Sequence, residues 1–154
     1  RIFISRVASQ PWMKHYLSVI GNFGRLSRWR LALDTFHRAG RSSGVLRGAL
    51  LGALSRGEQW QRALQFLKET RQQRIPVDVI SCNGVLTALG RGTAWQRATE
   101  LLTEMRLEGA MALPSPNVVS FNATLSAAAR GAEWSLALQL LKEMQSSFVS
   151  PDII

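Results

Sequence analysis

The sequence predicts an all-α fold, a solenoid of stacked antiparallel helical hairpins, and two observations support this prediction. The first is a phrase that recurs four times in 154 residues, always opening on tryptophan and placing alanine three residues later. The four opening residues are Trp29, Trp60, Trp95 and Trp134, at spacings of 31, 35 and 39 residues. A period near 35 residues with a fixed internal pattern is typical of stacked helical hairpins.

The second observation is the helical spacing of apolar residues in both halves of the last unit. In its second half the apolar positions are Trp134, Ala137, Leu138, Leu141 and Met144. Their offsets of 0, 3, 4, 7 and 10 place them on one face of an α-helix, and we predict that this face is buried. In the first half, Phe121, Leu125 and Ala128 share a face in the same way. Each unit is therefore predicted to be two helices.

A stop signal separates the two predicted helices of the last unit at Arg130-Gly131. We expect Gly131 to adopt the left-handed conformation at the helix end, and Arg130 to complement the negative end of the helix dipole. One hairpin cannot bury both of its faces, so neighbouring hairpins must stack to form a core. The sequence therefore predicts eight main helices in four hairpins, with no β-sheet.

These features resemble the pentatricopeptide repeat (PPR) family. The shared marks are the period of 35, the opening Val-Val-Ser-Phe-Asn, the middle Ala-Leu-x-Leu-Leu-x-Glu-Met and the closing Pro-Asp. The tetratricopeptide repeat has a period of about 34 and a first helix with Trp, Gly and Tyr marks that are absent here. The resemblance implies a right-handed solenoid forming a single domain over 1–154. Its repeats lie at about 13–43, 44–78, 79–117 and 118–152, after an N-terminal tail at 1–10.

The resemblance also implies that the chain binds single-stranded RNA. In this family a residue early in the first helix and the last residue of the repeat together read one base. Here those pairs are Asn83 with Asn117 and Asn122 with Asp152. An amide can both donate and accept hydrogen bonds at a base edge. In the family, Asn with Asp favours uracil, and Asn with Asn favours a pyrimidine.

Two apolar residues complete these expected sites, because the family places a base-stacking residue three positions before each reading asparagine. These residues are Ile80 and Val119. An alternative role for the reading asparagines is local hydrogen bonding at the start of a helix. The first two repeats depart from the family pattern, because their reading positions hold Leu17 and Gly48.

The net charge of +9 is concentrated in the N-terminal third. Residues 1–57 hold ten Lys or Arg and one acid, whereas the remainder holds nine of each sign. Such a basic block suggests a polyanionic partner, either nucleic acid or an anionic membrane surface. The residues expected to contact phosphate are Arg25, Arg28, Arg30, Arg56, Arg91 and Arg130. Solvation and helix-dipole capping are the alternative explanation for these arginines.

The sequence shows no catalytic constellation, no glycine-rich phosphate loop and no spacing typical of metal ligands. Its two histidines, His15 and His37, lie in different predicted helices without an acid close in sequence. The single cysteine, Cys82, cannot form an internal disulfide, and we expect it to pack in the core. No apolar run reaches the roughly 18 residues of a membrane span. We therefore predict a protein that is not an enzyme and that needs no cofactor, metal or small-molecule substrate.

Two hypotheses of function follow. The first is an RNA-binding module of an organellar RNA-processing or translation factor, in a mitochondrion or plastid. The alternative is a structural scaffold subunit of a large organellar assembly, such as a ribosome or a membrane-bound energy complex, with protein subunits as partners. The two intact asparagine positions and the basic N-terminal third favour RNA binding. The degenerate reading positions of the first two repeats favour the scaffold.

Overall fold

The protein is described here by a computed structural model covering residues 11–26, 28–39, 44–107 and 113–148. Within these ranges the chain forms eight α-helices and no β-strand. The helices are α1 (Pro11–Arg25), α2 (Trp29–Arg38), α3 (Gly44–Arg56), α4 (Trp60–Gln72), α5 (Val79–Arg91), α6 (Trp95–Arg106), α7 (Val118–Arg130) and α8 (Trp134–Phe148).

The helices form two layers. The first-helix layer consists of α1, α3, α5 and α7, and each of these packs against the next. The second-helix layer consists of α2, α4, α6 and α8. Each second helix packs against the first helix of its own pair, and α2, α4 and α6 also contact the first helix of the following pair. The predicted all-α helical-repeat fold is confirmed, while the right-handed sense and the exact repeat boundaries stay predictions.

The core follows the helical periodicity of the sequence. The alanines three residues after the first three tryptophans, Ala32, Ala63 and Ala98, are fully buried, and this small side chain lets neighbouring helices approach closely. In α7, Phe121 and Ala128 are also buried, as predicted. One apolar cluster extends from α1 into α7, and a second, smaller cluster of Leu102, Phe121 and Leu140 joins α6, α7 and α8.

The predicted left-handed conformation of Gly131 is wrong. Its φ is −78°, and the left-handed residue is the next one, Ala132, with a φ of 58°. Glu58 and Thr93 take the same conformation in the equivalent turns, with φ of 55° and 56°. A glycine is therefore not needed in these turns for its backbone freedom, and another constraint must require it.

That constraint is close approach by the tryptophan of the preceding hairpin. A Cβ on Gly131 would lie only 2.3 Å from Cδ1 of Trp95, far inside van der Waals contact. The same contact occurs at three junctions, formed by the pairs Trp29–Gly57, Trp60–Gly92 and Trp95–Gly131. Glycine lets the backbone of one hairpin lie directly against the indole of the previous hairpin. These pairs link consecutive hairpins.

The predicted burial of the apolar face of α8 is wrong for most of its residues. Trp134, Leu138 and Leu141 are exposed to 68%, 61% and 43%, and Ala137 and Met144 are half-buried. The buried residue of α8 is Leu140, which lies outside the predicted face. At the other three junctions the turn of the following hairpin covers the tryptophan, and the part of the chain that the structure describes contains no turn beside Trp134. The periodicity correctly predicts the helix, but burial of this face requires a neighbouring hairpin.

The second helices are also linked to one another by side chains. An ion pair of 3.1 Å joins Arg71 of α4 to Glu104 of α6, and one of 2.7 Å joins Arg106 of α6 to Glu143 of α8. Between α2 and α4 the link is an edge-to-face contact of two phenylalanines, Phe36 and Phe66. The second-helix layer therefore contributes polar and aromatic links between hairpins.

Candidate nucleic-acid interface

The structure brings together Asn83 and Asn117, the first pair predicted to read a base. Asn83 is the fifth residue of α5, and Asn117 is the N-cap of α7. The Asn83 Nδ2 group donates to the Asn117 Oδ1 atom at 3.2 Å, although the two residues are 34 positions apart. Both side chains are half-buried. Stacking of α5 on α7 therefore places an amide pair at the junction of the third and fourth hairpins.

A third side chain, Ser120, completes this cluster. The Ser120 backbone N–H donates to Asn117 Oδ1 at 3.1 Å, and the Asn117 backbone N–H donates to Ser120 Oγ at 3.1 Å, which is a capping box. The Ser120 hydroxyl donates to Asn83 Oδ1 at 2.6 Å. The role of Ser120 was not predicted from the sequence. The available signal was a helix-capping residue three positions before a serine, and this signal occurs at Asn117-x-x-Ser120 and again at Asp78-x-x-Ser81.

The second predicted reading residue, Asn122, is exposed in a shallow cleft of about 290 Å³ between α5 and α7. Val119 and the two helix-end residues Arg91 and Arg130 also line the cleft. An amide, an apolar side chain and two cations therefore face one space. Asp152, the predicted partner of Asn122, lies outside the described residues, so that pair stays a prediction.

The two predicted base-stacking residues are unusually exposed for apolar side chains. Ile80 is 68% exposed and Val119 is 53% exposed, and each is the second residue of its helix. Ile80 extends over α3, where its Cγ2 atom lies 3.8 Å from the place that a Cβ on Gly48 would occupy. Each exposed branched side chain therefore lies on the first-helix layer, where it can contact the face of a base.

The six predicted phosphate-contacting arginines divide between the two layers. Four of them are exposed final residues of first helices: Arg25, Arg56, Arg91 and Arg130. Arg28 precedes α2 and Arg30 lies in its first turn, with the Arg30 guanidinium 5.3 Å from the centre of the Trp29 ring. The structure thus brings Arg91 and Arg130 into one cleft with Asn122, and places Arg28 and Arg30 at the second-helix layer.

The second hairpin has part of the same arrangement. Asp78 caps α5 by accepting from the Ser81 backbone N–H at 2.8 Å, as Asn117 caps α7. The residue equivalent to Asn83 is Gly48, which has no side chain to read a base. In the first hairpin the reading position is Leu17, which is half-buried. The junction of the second and third hairpins therefore has the partner residue without the reader.

Other kinds of site find little support within the described ranges. They contain no group of three or more His, Cys, Asp or Glu that could hold a metal ion. None of their helices is both long and apolar enough to cross a membrane. Cys82 is fully buried, and this burial, together with the nearby Asp78 charge, raises the pKa of its thiol to about 12. The thiol is therefore protonated at neutral pH and packs in the core.

Comparison with known proteins agrees with this architecture. The family model described as "Pentatricopeptide repeat domain" matches residues 65–129, and the one described as "PPR repeat" matches residues 119–147. The crystal structure of the pentatricopeptide repeat protein PPR10 from maize superposes with a TM-score of 0.73 at 25% identity. That match covers 88% of this chain but only 20% of PPR10. No curated protein sequence matches the chain. The chain belongs to the pentatricopeptide repeat family.

Proposed function

We propose that the chain is a non-catalytic, single-stranded RNA-binding module of an organellar RNA-processing or translation factor. The observation that carries this proposal is the cleft between α5 and α7, where Asn122 and Val119 lie beside Arg91 and Arg130. A single strand needs an apolar surface for base faces, hydrogen-bonding groups for base edges and cations for phosphates. The cleft offers all three, and membership of the PPR family supports RNA as the partner.

The phosphate contacts are assigned to the arginines that end the first helices. Arg91 and Arg130 are exposed and line the same cleft, so consecutive hairpins present cations at the same position of the fold. Arg25 and Arg56 occupy the same position in the first two hairpins. A strand that follows the first-helix layer would therefore pass one cation per hairpin. These contacts would position the strand without reading its sequence.

Base reading is assigned to the last two hairpins, where Asn83 with Asn117 forms one site and Asn122 with Asp152 forms the other. Ile80 and Val119 flank these sites as exposed stacking surfaces. Two sites specify two nucleotides at most, so the phosphate contacts of all four hairpins would supply most of the affinity. By the family pairing rule, the two sites together prefer a pyrimidine and a uracil.

The proposal is tested by fluorescence-anisotropy titration of a random pool of single-stranded RNA at several salt concentrations. We expect log K to fall with log[salt] by about 0.7 per neutralised phosphate. The double variant R91E/R130E should weaken binding and make this slope shallower by about 1.4, because two phosphate contacts are lost. The first-helix arginines are thereby tested independently of base reading.

A matched control reverses the same number of charges in the second-helix layer. Lys68 of α4 and Lys142 of α8 are exposed, so K68E/K142E changes the net charge as much as R91E/R130E does. We expect the control to lose far less affinity and to keep the slope. A slope near zero in the unmodified protein, or an equal loss in both double variants, would exclude RNA binding by the first-helix layer.

The scaffold function is a second candidate, which Leu17 and Gly48 favour because neither offers a hydrogen bond at a reading position. In that case the basic first hairpins would dock on ribosomal RNA, an acidic protein or anionic lipid within an organellar assembly. A scaffold would bind isolated RNA weakly, and reversal of Arg25, Arg28 and Arg30 would reduce incorporation into the assembly. The organellar location, in a mitochondrion or plastid, is supported by family membership.

A further inference from the structure

We propose that Ser120 determines the specificity of the base site formed by Asn83 and Asn117, although Ser120 belongs to the next hairpin. This inference rests on the proposed RNA binding. It adds Ser120 as a third residue to the base site formed by Asn83 and Asn117. Ser120 is fully buried, so it acts on the base through the two asparagines and not by touching it. It is therefore a positioning residue.

The first step is the orientation of Asn117. Its Oδ1 atom accepts from the Ser120 backbone N–H at 3.1 Å. A backbone N–H can only donate, so an amide nitrogen in this place would leave two donors facing each other. The cap therefore holds the oxygen of Asn117 inside the cluster and turns its Nδ2 group away from the Ser120 backbone.

The second step is the orientation of Asn83. Because Asn117 Oδ1 is an acceptor, the atom of Asn83 that lies 3.2 Å from it must be the donor Nδ2. The Oδ1 atom of Asn83 then faces the Ser120 hydroxyl at 2.6 Å. The hydroxyl proton is directed to Asn83, since Asn117 Oδ1 is farther from Ser120 Oγ, at 3.2 Å. Ser120 thus holds Asn83 in one of its two amide orientations.

The consequence is a site that presents mainly N–H donors. Asn83 keeps its second Nδ2 hydrogen, and Asn117 keeps its Nδ2 group, whereas Asn117 Oδ1 already accepts two hydrogen bonds within the cluster and Asn83 Oδ1 accepts one. Pyrimidines offer the acceptor O2, with N3 in cytosine or O4 in uracil, to such donors. Adenine presents only one acceptor on the corresponding edge, N1, beside its N6 amino donor, whereas each pyrimidine presents two acceptors there. The fixed amides therefore favour a pyrimidine over adenine.

The second hairpin provides a natural control for this role. Ser81 is at the same position of α5, is also buried, and donates its backbone N–H to Asp78. The residue across from it is Gly48, which has no amide to orient. Ser81→Ala therefore removes an equivalent hydroxyl without affecting any reading amide. If Ser120→Ala changes amide exchange or base preference and Ser81→Ala does not, the effect is due to positioning of the amides. Loss of a hydroxyl near a helix start is common to both variants and cannot explain such a difference.

The first measurement uses no RNA. In the ¹H–¹⁵N spectrum of the unmodified full chain, the Asn83 side-chain amide should exchange with solvent more slowly than that of exposed Asn122. In Ser120→Ala this difference should shrink, and in Ser81→Ala it should persist. Equal exchange of the two amides in the unmodified protein would overturn the proposal, even if the Ser120 variant did not fold. So would an Asn83 amide that Ser120→Ala leaves unchanged.

The second measurement compares binding of 12-nucleotide oligo(C), oligo(U) and oligo(A), which need no known register. The unmodified protein should prefer both pyrimidine strands. Ser120→Ala should reduce the ratio of pyrimidine to adenine affinity by about two- to tenfold, the range for one hydrogen bond, and Ser81→Ala should preserve it. Adding Ser120→Ala to Asn83→Ala should change the ratio no further, because the oriented amide is already absent.

The outcomes separate this inference from the proposed function. If none of the three strands binds, RNA binding fails and the inference fails with it. If all three bind equally well, strand binding stands and the reading role of this cluster is excluded. If Ser120→Ala lowers the melting temperature and leaves the affinity ratio unchanged, then Ser120 is only a helix cap and the inference is excluded.

Discussion

The two layers of helices differ in what their side chains do. The first-helix layer presents amides, exposed branched residues and helix-end arginines, with Asn83, Asn122 and Ile80 among them. The second-helix layer provides the tryptophans that pack against the turns of following hairpins, and it carries the ion pairs between α4, α6 and α8. The first-helix layer therefore contains the candidate interface, and the second-helix layer contains the tryptophans and ion pairs that link hairpins.

This difference means that a hairpin can lose its reading residue and still stack. The second hairpin has Gly48 at the reading position, yet its Trp60 packs on Gly92 as closely as Trp95 packs on Gly131. Stability and recognition are thus assigned to different residues. If the layers are independent, second-helix substitutions should change unfolding free energy, and substitutions at reading positions should change RNA affinity.

The largest expected effect is in the second-helix layer. Trp95→Ala removes a half-buried indole that packs against the next hairpin, and should lower the free energy of unfolding by about 3 kcal/mol, the lower end of the range for a core tryptophan. Trp134→Ala makes the same chemical change at a side chain that is 68% exposed, and should stay within about 0.5 kcal/mol. Thermal and urea unfolding of both variants measure the difference. Similar losses at the two positions would show that the turn contact does not stabilise the stack.

A smaller effect, with opposite signs at two positions, is expected for glycine to alanine substitutions. Gly131→Ala would force a Cβ against Trp95 and should cost about 1–3 kcal/mol through overpacking. Gly21, inside α1, has open space around its Cβ direction, so Gly21→Ala should stabilise the protein by about 0.5–1 kcal/mol. Urea unfolding distinguishes the two, and a stabilising Gly131→Ala would contradict the close packing of this turn.

Much of the fold was predictable because it depends on contacts within one repeat. The tryptophan phrase and helical spacing predicted the two-layered hairpins, and the Arg130-Gly131 signal predicted the end of α7. The predicted left-handed conformation of Gly131 is wrong, because the constraint that requires glycine comes from Trp95 in the previous hairpin. The exposed face of α8 was missed for the same reason. Periodicity identifies the apolar side of a helix, but does not show whether another hairpin covers it.

The candidate site, like the fold, was predictable where it depends on positions within one repeat and not where it depends on stacking between hairpins. Asn83 and Asn117 were paired through the family pattern, since both lie at fixed positions of the repeat. Ser120 was missed because its link to Asn83 crosses 37 positions and depends on how α7 stacks against α5. The Asn-x-x-Ser pattern predicts a helix cap. It does not predict that the serine hydroxyl also donates a hydrogen bond to a residue of a neighbouring helix.

The smallest expected effect is a gain of binding in the first-helix layer. Gly48 is the fifth residue of α3, as Asn83 is of α5, and its expected partner Asp78 is present. A Cβ at this position would lie 3.8 Å from Ile80 Cγ2, an ordinary contact, so a side chain can begin here without displacing the neighbouring hairpin. The new Asn–Asp pair should favour uracil by the family rule, and should raise affinity for oligo(U) by about two- to tenfold.

Gly48→Ala is the matched control for this gain, because it also replaces a helix-interior glycine and adds no hydrogen-bonding group. Both variants should unfold at the same or slightly higher urea concentration than the unmodified protein, since glycine is unfavourable within a helix. Only Gly48→Asn should bind oligo(U) more tightly, and its gain for oligo(A) should be smaller. Equal oligo(U) affinity in the two variants would show that the amide at this position does not read a base. It would also show that an asparagine is not sufficient to restore reading to the second hairpin.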